Sequence, residues 1–356
     1  MHIVITFNQC VAEEDDQPPS SRLLDTQHLP QDLYAEWDDA QTIQAVADAL
    51  AQNHQVSLVN ADLDAFEKLR ALRPDLVFNM AEGLYGGSRE SQIPALLEML
   101  QIPYTGSDPV SLGICLDKLR TKEILAYHRV PTPAFVQLRQ AAELPDNFHF
   151  PLLVKPALEG SSKGITDSSL VHNPVELQKQ LDRVWTGYQQ PALVEEFLCG
   201  REFTVAILGN GTATQVLPIV EIDLSTLPAG ANPIYSYEAK WLWDTETAPL
   251  QIFRCPAKLE PLLQRKIEDL CRKAFFHLGC RDWCRIDVRL DASGHPQIIE
   301  VNPLPGVLPR PEQNSCFPKA ARAAGLSYPE MILSVVNAAC QRLDLVEKND
   351  AHRCLL

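Results

Sequence analysis

Apolar and polar residues alternate with two different periods along the first hundred residues. Three short segments rich in β-branched residues predict strands: HIVITF, QVSLVN and PDLVFNM. Between the first two, Ile43, Val46, Ala47 and Leu50 recur at helical spacing, and LDAFEKLRAL predicts a second helix before the third strand. Because strands that alternate with helices pair in parallel, we predict a doubly wound α/β unit at the start of the chain.

The rest of the chain has a different pattern. Residues 104–131 repeat apolar residues at helical spacing, and a longer helix is predicted at LEPLLQRKIEDLCRKAFFHLG, with its leucines, isoleucine and phenylalanines packed inward. Seven further segments predict strands: FVQL, FPLLVKP, ALVEEFL, REFTVAILG, ATQVLPIVEI, CRIDVRL and PQIIEVN. The acidic, proline-bearing segment NQCVAEEDDQPPSSR after the first strand is predicted to be a loop.

The composition narrows the class of protein. Apolar residues make up 46% of the 356 residues and charged residues 22%, as in folded soluble proteins, and no apolar run is long enough to span a bilayer. The formal net charge of −15 argues against partners that are nucleic acids or anionic membranes. The N-terminal MHIVITF leads directly into a strand without a signal-peptide pattern, which favours a cytoplasmic protein.

The cysteines do not indicate a metal site. Ten of them are scattered along the chain without a CxxC pair. His277, Cys280 and Cys284 could be drawn as metal ligands, but they lie where a helix runs into a strand. Buried free thiols are therefore the favoured interpretation.

Two neighbouring strands near the end carry acidic and basic residues in alternation. In CRIDVRL, alternation places Arg285, Asp287 and Arg289 on one face, and in PQIIEVN it places Ile298, Glu300 and Asn302 together. A turn over residues 291–294 would pair Leu290 with His295 and Arg285 with Glu300, so that the polar sets share a face. Oxygen ligands of this kind suit Mg²⁺. The alternative is a solvated hairpin face with cross-strand salt bridges, and the stiff NPLPGVLPRP that follows argues for a rigid site instead.

A second candidate is the loop LEGSSKGI, which leaves the predicted strand FPLLVKP. Small residues let backbone N–H groups approach an anion, and the neighbouring lysines add positive charge. The segment indicates a phosphate-binding loop, although a simple structural turn would read the same in isolation.

The order of these signals resembles the ATP-grasp fold, and specifically the D-alanine–D-alanine ligase family. The likeness covers most of the chain after residue 90 and is carried by these segments: LLEMLQIPYTGS, LDKLRTK, LLVKPALEGSSKGI, VEEFLCGREFTVAIL, YSYEAKWL, GCRDWCRIDVRLD, IIEVNPLPG and PKAARAAGLSYPEM. It implies an N-terminal Rossmann-like substrate domain over residues 1–105 and a central ATP-grasp lobe over residues 106–190. A C-terminal lobe with the magnesium site would span residues 191–345, followed by a tail over residues 346–356.

The resemblance implies a role for each matching residue. Lys118 and Lys155 would hold the α- and β-phosphates of ATP under a flap formed by Glu159, Gly160, Ser161 and Ser162. The adenosine part of ATP would be contacted by Glu195, by the backbone of Glu196, Phe197 and Leu198, and by Glu202. The ligands of two Mg²⁺ ions would be Asp287, Glu300 and Asn302. The candidate catalytic residues are Arg285 and Gly306 near the oxyanion, Lys240 at the γ-phosphate, and Ser161 of the flap.

The departures from the family pattern cluster where the amino acids would bind. The usual GGxSxE turn is absent, and Glu13 or Glu14 could replace its glutamate. The usual HGxxGEDG segment is AEGLYGGSRES here, in which Glu82 could orient a substrate. Trp241 stands where many members have a tyrosine, and it has no phenolic oxygen. The loop VLPRPEQNSCF is longer than in the family and carries Arg310, while Ser315 could align with the serine that binds the second substrate.

The resemblance implies an ATP-dependent carboxylate–amine ligase that forms a dipeptide through an acyl phosphate, with small amino-acid-like substrates and a possible homodimer. A relative acting on other amino acids or on a natural-product precursor is an alternative. An ATP-grasp kinase is another, and a protein that binds nucleotide without turnover is disfavoured by the complete set of candidate metal ligands.

Overall fold

The computed structural model describes residues 1–9, 32, 34–83, 85–140, 143–244 and 250–345. Most of the predicted acidic loop, the alternatives Glu13 and Glu14, and the predicted tail over residues 346–356 lie outside these ranges.

The chain begins with a three-stranded parallel sheet. Its strands are β1 (His2–Phe7), β2 (Gln55–Asn60) and β3 (Leu76–Asn79), in the order β2-β1-β3. The sheet packs against the helices α1 (Ala40–Ala51), α2 (Ala65–Leu72) and α3 (Gln92–Leu100). The predicted stripe of α1 is buried from Ile43 to Leu50, so the parallel α/β unit is confirmed.

The second sheet has four antiparallel strands. They are β4 (Phe135–Leu138), β5 (Leu152–Pro156), β6 (Leu170–Val171) and β7 (Ala192–Glu196), in the order β4-β7-β5-β6. Two helices, α4 (Pro109–Leu116) and α5 (Lys118–Tyr127), precede the sheet, and α6 (Pro174–Tyr188) packs against it. Asp117 begins α5 because its carboxylate accepts the N–H groups of Leu119 and Arg120.

The third sheet has six antiparallel strands. They are β8 (Glu202–Leu208), β9 (Gln215–Val216), β10 (Val220–Ile222), β11 (Phe253–Arg254), β12 (Trp283–Leu290) and β13 (Pro296–Asn302). Helix α7 (Pro261–His277) covers one face, and α8 (Cys316–Ala323) and α9 (Tyr328–Arg342) connect the sheet to α1. The prediction for α7 is wrong at two positions, because Leu262 and Phe276 are exposed while Ile267, Leu270 and Phe275 are buried.

The β12–β13 hairpin has a different register from the predicted one. Arg285 pairs with Asn302, Asp287 pairs with Glu300, and Leu290 pairs with Pro296. The register shifts between Asp287 and Val288, where β13 contains one extra residue, Ile299. The predicted pairs Arg285–Glu300 and Leu290–His295 are therefore wrong.

The bulge changes which side chains share a face. Ile298 pairs with Val288 and is buried in the core, so its predicted place beside Glu300 is wrong. With regular alternation from Ile298 onward, Ile299 would be on the polar face and Glu300 would be directed into the core. The extra residue restores Glu300 and Asn302 to the face of Arg285 and Asp287, which confirms the prediction of one shared polar face.

The eight cysteines in the described ranges are free thiols, and Cys115, Cys271, Cys280 and Cys284 are buried. In the described ranges, the group of His, Cys, Asp or Glu side chains with metal-ligand spacing is Glu36, Glu82 and Glu90.

Candidate active site

A cavity of about 610 Å³ lies between the two antiparallel sheets and the N-terminal sheet. It brings together most of the predicted site residues: Glu82, Lys155, Ser161, Ser162, Glu195, Glu196, Phe197, Leu198, Glu202, Lys240, Trp241, Arg285, Asp287, Glu300, Asn302, Gly306 and Ser315. Four predicted residues are not part of its wall: Lys118, Glu159, Gly160 and Arg310. Lys118, Gly160 and Glu159 lie directly behind that wall. Lys118 contacts Glu300, Gly160 contacts Glu36, and Glu159 contacts Arg89.

The acidic hairpin face is held by basic groups. Lys118 Nζ lies 2.7 Å from Glu300 Oε1, and Arg285 donates to Asp287 Oδ2 at 3.1 Å. Burial alone would raise the pKa of Glu300, but Lys118, Arg285 and Lys155 lower it to about 2. Glu300 is therefore ionised throughout the physiological range.

The hairpin face fits a divalent cation. Asp287 Oδ1 is buried and has no hydrogen-bond partner among the described residues, although its other oxygen is paired with Arg285. Asn302 Oδ1 accepts the N–H of Leu304, which fixes the amide on the same face as the two carboxylates. Two carboxylates and an amide oxygen form a donor set that suits Mg²⁺.

A buried lysine pair flanks Glu195. Lys155 lies 2.5 Å from one oxygen of Glu195, and Lys122 lies 2.8 Å from the other. Burial would raise the pKa of Glu195, but the two lysines lower it. Sequence reasoning missed Lys122, which is only 2% exposed, because a lysine on a predicted helix is ordinarily a surface residue.

Glu202, a candidate contact to the adenosine part of ATP, is also paired. Glu202 accepts from Arg289 at 2.9 Å, and the guanidinium of Arg289 lies over the ring of Phe197. Both Glu202 and Phe197 line the cavity.

The flap is fixed to the C-terminal part of the chain. Ser162 Oγ donates to the carbonyl of Tyr235 at 3.1 Å, and the indole N–H of Trp241 donates to the carbonyl of Ser161 at 3.4 Å. Trp241 thus supplies a donor even though it lacks a phenolic oxygen. Ser161 and Ser162 have φ angles of 49° and 61°, a strained conformation for residues with a Cβ.

The flap is also fixed to the N-terminal part of the chain. The N–H of Gly160 donates to Glu36 Oε1 at 2.9 Å, and Lys163 Nζ donates to Glu36 Oε2 at 3.0 Å. Arg89 donates to the same carboxylate at 2.8 and 2.9 Å and to the carbonyl of Leu158 at 2.7 Å. A Cβ at Gly160 would lie 2.3 Å from Glu36 Oε1, so only glycine permits this approach.

Glu36 and Arg89, like Lys122, are functional candidates that the sequence did not reveal. Glu36 stands outside any motif, and its partners Arg89 and Gly160 are 53 and 124 residues away along the chain. Arg89 belongs to the segment that departs from the family pattern, so its charge was visible but its partner was not.

Carboxylates gather where Glu36 meets the cavity. Glu36, Glu82 and Glu90 each offer an oxygen within 4.8 Å of the others. Burial and then Glu90 raise the pKa of Glu82, whereas burial and then Glu36 raise the pKa of Glu90 to about 8. Burial would raise the pKa of Glu36 as well, but Arg89 and Lys163 lower it.

The remaining predicted residues divide between two places. Ser315 lines the cavity and donates to the carbonyl of Gly306 at 3.1 Å, so these two residues are neighbours. Arg310 lies away from the cavity wall, and its backbone N–H donates to the side chain of Gln313. Burial lowers the pKa of Lys240 to about 8, with a smaller effect from Arg285.

Comparisons with known proteins identify the family. A family model described as D-ala D-ala ligase C-terminus matches residues 124–337. A D-alanine–D-alanine ligase of Bordetella petrii is 38% identical over 301 residues, which are 81% of this chain and 86% of that protein. The chain belongs to the D-alanine–D-alanine ligase family.

Other relatives align with a similar share of this D-alanine–D-alanine ligase family member. A D-alanine–D-alanine ligase of Pelotomaculum thermopropionicum is 34% identical over 312 residues, which are 84% of this chain and 91% of that protein. The uncharacterized protein y4sG of Sinorhizobium fredii is 37% identical over 315 residues, which are 86% of this chain and 89% of that protein.

The solved structures confirm the predicted fold. A D-alanine–D-alanine ligase of Bacillus anthracis complexed with ATP matches with a TM-score of 0.70 and 23% identity, over 97% of this chain and 99% of that one. The fold is therefore ATP-grasp. As a member of this family, the chain is an ATP-dependent ligase that forms C–N bonds, and the family acts on small amino-acid substrates. No helix in the described ranges could cross a membrane.

Proposed function

We propose that the chain joins the carboxylate of one amino acid to the amine of another through an acyl phosphate, with release of ADP and phosphate. One observation carries this proposal: the acidic hairpin, the basic residues Lys155, Lys240 and Arg285, and the flap all meet in one cavity. The relatives named as D-alanine–D-alanine ligases support dipeptide formation as the reaction class.

The chain's own residues would bind the triphosphate of ATP. Lys155 reaches the cavity from β5 of the second sheet, where Glu195 and Lys122 fix its position. Ser161 and Ser162 would cover the phosphates from the flap, and Lys118 would approach them from behind Glu300. Asp287, Glu300 and Asn302 would hold Mg²⁺, which would neutralise charge on the transferred phosphoryl group.

Arg285 would act on the acyl centre. Attack of the amine on the acyl phosphate places negative charge on the former carbonyl oxygen, and the carbonyl re-forms as phosphate leaves. Arg285 lines the cavity with Gly306, and Asp287 and Glu300 keep its guanidinium charged even though burial would lower its pKa. Removing a contact to such an oxyanion typically costs about 10²- to 10³-fold in rate.

The flap would exclude water. An acyl phosphate hydrolyses in water, so a ligase must enclose it before the amine attacks. The contacts from Glu36 and Arg89 on one side, and from Trp241 and Tyr235 on the other, hold the flap over the cavity.

The test removes a charge from the hairpin. Asp287→Asn and Glu300→Gln are each expected to reduce amine-dependent ADP release by about 10²-fold or more, since the phosphoryl group would lose its counter-charge. Glu123→Gln, an exposed carboxylate on α5, is the matched control and should leave the rate unchanged. Near-normal ADP release in both hairpin variants would refute the assignment of the site.

A further inference from the structure

We infer that the substrate carrying the reacting carboxylate bears a second positively charged group, as in a diamino acid. The inference rests on the proposed function and names the substrate class for it. It comes from the carboxylates at the end of the cavity formed by the N-terminal sheet and the segment before α1, which we call the acidic end: Glu36, Asp38, Glu82 and Glu90.

The acidic end is reached from the reaction cavity. Glu36, Asp38 and Glu82 line that cavity, and the oxygens of Glu36, Glu82 and Glu90 lie within 4.8 Å of one another. Carboxylates this close repel each other when ionised, so a cation between them would be strongly favoured over the empty arrangement.

The pairing of these carboxylates is unequal. Glu36 receives two cations, with Arg89 at 2.8 Å and Lys163 at 3.0 Å. Both cations are shared with Glu159, at 3.4 Å from Arg89 and 2.7 Å from Lys163. Arg89 and Lys163 are thus already paired with Glu36 and Glu159, and Lys118, which also acts on Glu90, is paired with Glu300.

Glu90 supplies the independent sign that a ligand group is needed. Its side chain is only 7% exposed, and among the residues that the structure describes its carboxylate has no hydrogen bond and no ion pair. Its oxygen is nevertheless directed at Glu36 and Glu82. Buried carboxylates are ordinarily paired, so an unpartnered one directly behind Glu36 and Glu82 of the cavity wall indicates a cation brought by the substrate.

The charges require more than one ammonium. The α-ammonium of a simple amino acid would bring one positive charge to an end where neither Glu82 nor Glu90 forms an ion pair with any residue that the structure describes, and where Asp38 lies beside Asp39. A second amino group on the side chain would bring the other. Burial and then the neighbouring carboxylates raise the pKa values of Glu82 and Glu90, and the opposing effects of Arg89 on both and of Lys118 on Glu90 do not offset them.

A diamino acid fits this place better than a metal ion. Arg89 donates to both oxygens of Glu36, so a divalent ion among the three glutamates would lie beside a guanidinium. An ammonium group carries half that charge and donates hydrogen bonds in three directions, one toward each carboxylate.

The experiment compares isosteric substrates on the intact chain. ADP release is measured with ornithine against norvaline and with 2,4-diaminobutyrate against 2-aminobutyrate, each in both enantiomers, with a fixed second amino acid. The expected result is a KM at least about tenfold lower for the diamino member of each pair. Glu90→Gln and Glu82→Gln should shrink that ratio, whereas Glu67→Gln, an exposed carboxylate on α2, should preserve it.

Three results would overturn the inference. The first is a wild-type chain that uses the neutral isosteres as well as the diamino acids, and the second is an unchanged ratio in both glutamine variants. The third is Mn²⁺ binding, measured by titration without nucleotide, that is lost in Glu90→Gln but kept in Asp287→Asn, which would assign a metal site. Each of these three results would leave the ligase assignment intact, whereas the absence of ADP release with every pair of amino acids would contradict both the inference and the proposed function.

Discussion

At the scale of single residues, the site depends on basic groups that are held in place before ATP arrives. Lys155 and Lys122 share the carboxylate of Glu195, and Lys118 and Arg285 contact the hairpin carboxylates. Each cation is therefore fixed by an ion pair. Such pre-orientation lowers the reorganisation needed when charge moves during phosphoryl and acyl transfer.

The pH dependence of nucleotide use is expected to report Lys240. Its pKa is lowered to about 8, so the ammonium is charged below that pH and neutral above it. We expect kcat/KM for ATP to fall by about tenfold per pH unit above 8, because the free enzyme then loses a cation from the triphosphate site. The measurement is an ADP-release rate at subsaturating ATP across pH 6 to 10.

Lys240→Arg serves as the matched variant for this limb. A guanidinium stays protonated over the whole range, so the decline near pH 8 should disappear in the variant. A decline at the same pH in both proteins would assign the limb to another group.

At the scale of elements, the flap and the β12–β13 hairpin are the parts that the sequence describes least completely. The periodicity of β12 and β13 places the polar residues on one face, but it cannot reveal that Ile299 is a bulge, because no glycine or proline marks it. The partners of the flap were equally hidden, since Glu36 and Trp241 reach it from 124 and 80 residues away.

The indole of Trp241 is expected to help hold the flap closed. Trp241→Phe keeps an aromatic ring but removes the N–H donated to the carbonyl of Ser161. We expect KM for ATP to rise by roughly two- to tenfold, the range for one ordinary hydrogen bond. Tyr127→Phe removes a hydrogen-bond donor from an exposed aromatic ring on α5 and should leave KM unchanged. An equal effect in the two variants would remove Trp241 from the closing contact.

At the scale of the whole molecule, Asp282 joins distant parts of the chain around the cavity. Its carboxylate is fully buried and accepts from the N–H of Gly106, the amide of Asn210 and the guanidinium of Arg342. One side chain thus connects the end of the N-terminal region, the third sheet and α9.

Breaking this junction is expected to destabilise the fold. Asp282→Ala would leave Arg342 without its buried partner and should lower the free energy of unfolding by about 3 to 5 kcal/mol. Asp282→Asn keeps an acceptor and tolerates the φ angle of 64°, so its loss should be smaller. Urea denaturation of the three proteins provides the comparison, and a loss below about 1 kcal/mol in the alanine variant would contradict the role of the junction.

The sequence predicts the chemistry of this molecule better than its long-range pairing. Local patterns were enough for the parallel unit, for most strands and for the acidic face, because strand and helix periods depend on neighbouring residues. The buried pairs Lys122–Glu195 and Arg89–Glu36 were not predictable, because they join residues that come together only when the separate sheets pack. The number of inward-packed residues in α7 was predicted too high, because apolar residues near a helix end can remain exposed.

The most direct test of the central claim is the stoichiometry of products from the wild-type chain. Mass analysis of a reaction with ATP, Mg²⁺ and an accepted pair of amino acids should find one amide formed for each ADP released. When the amine substrate is withheld, there should be no multiple-turnover release of ADP. A stable phosphorylated product that accumulates without the amine would contradict the ligase and indicate a kinase instead.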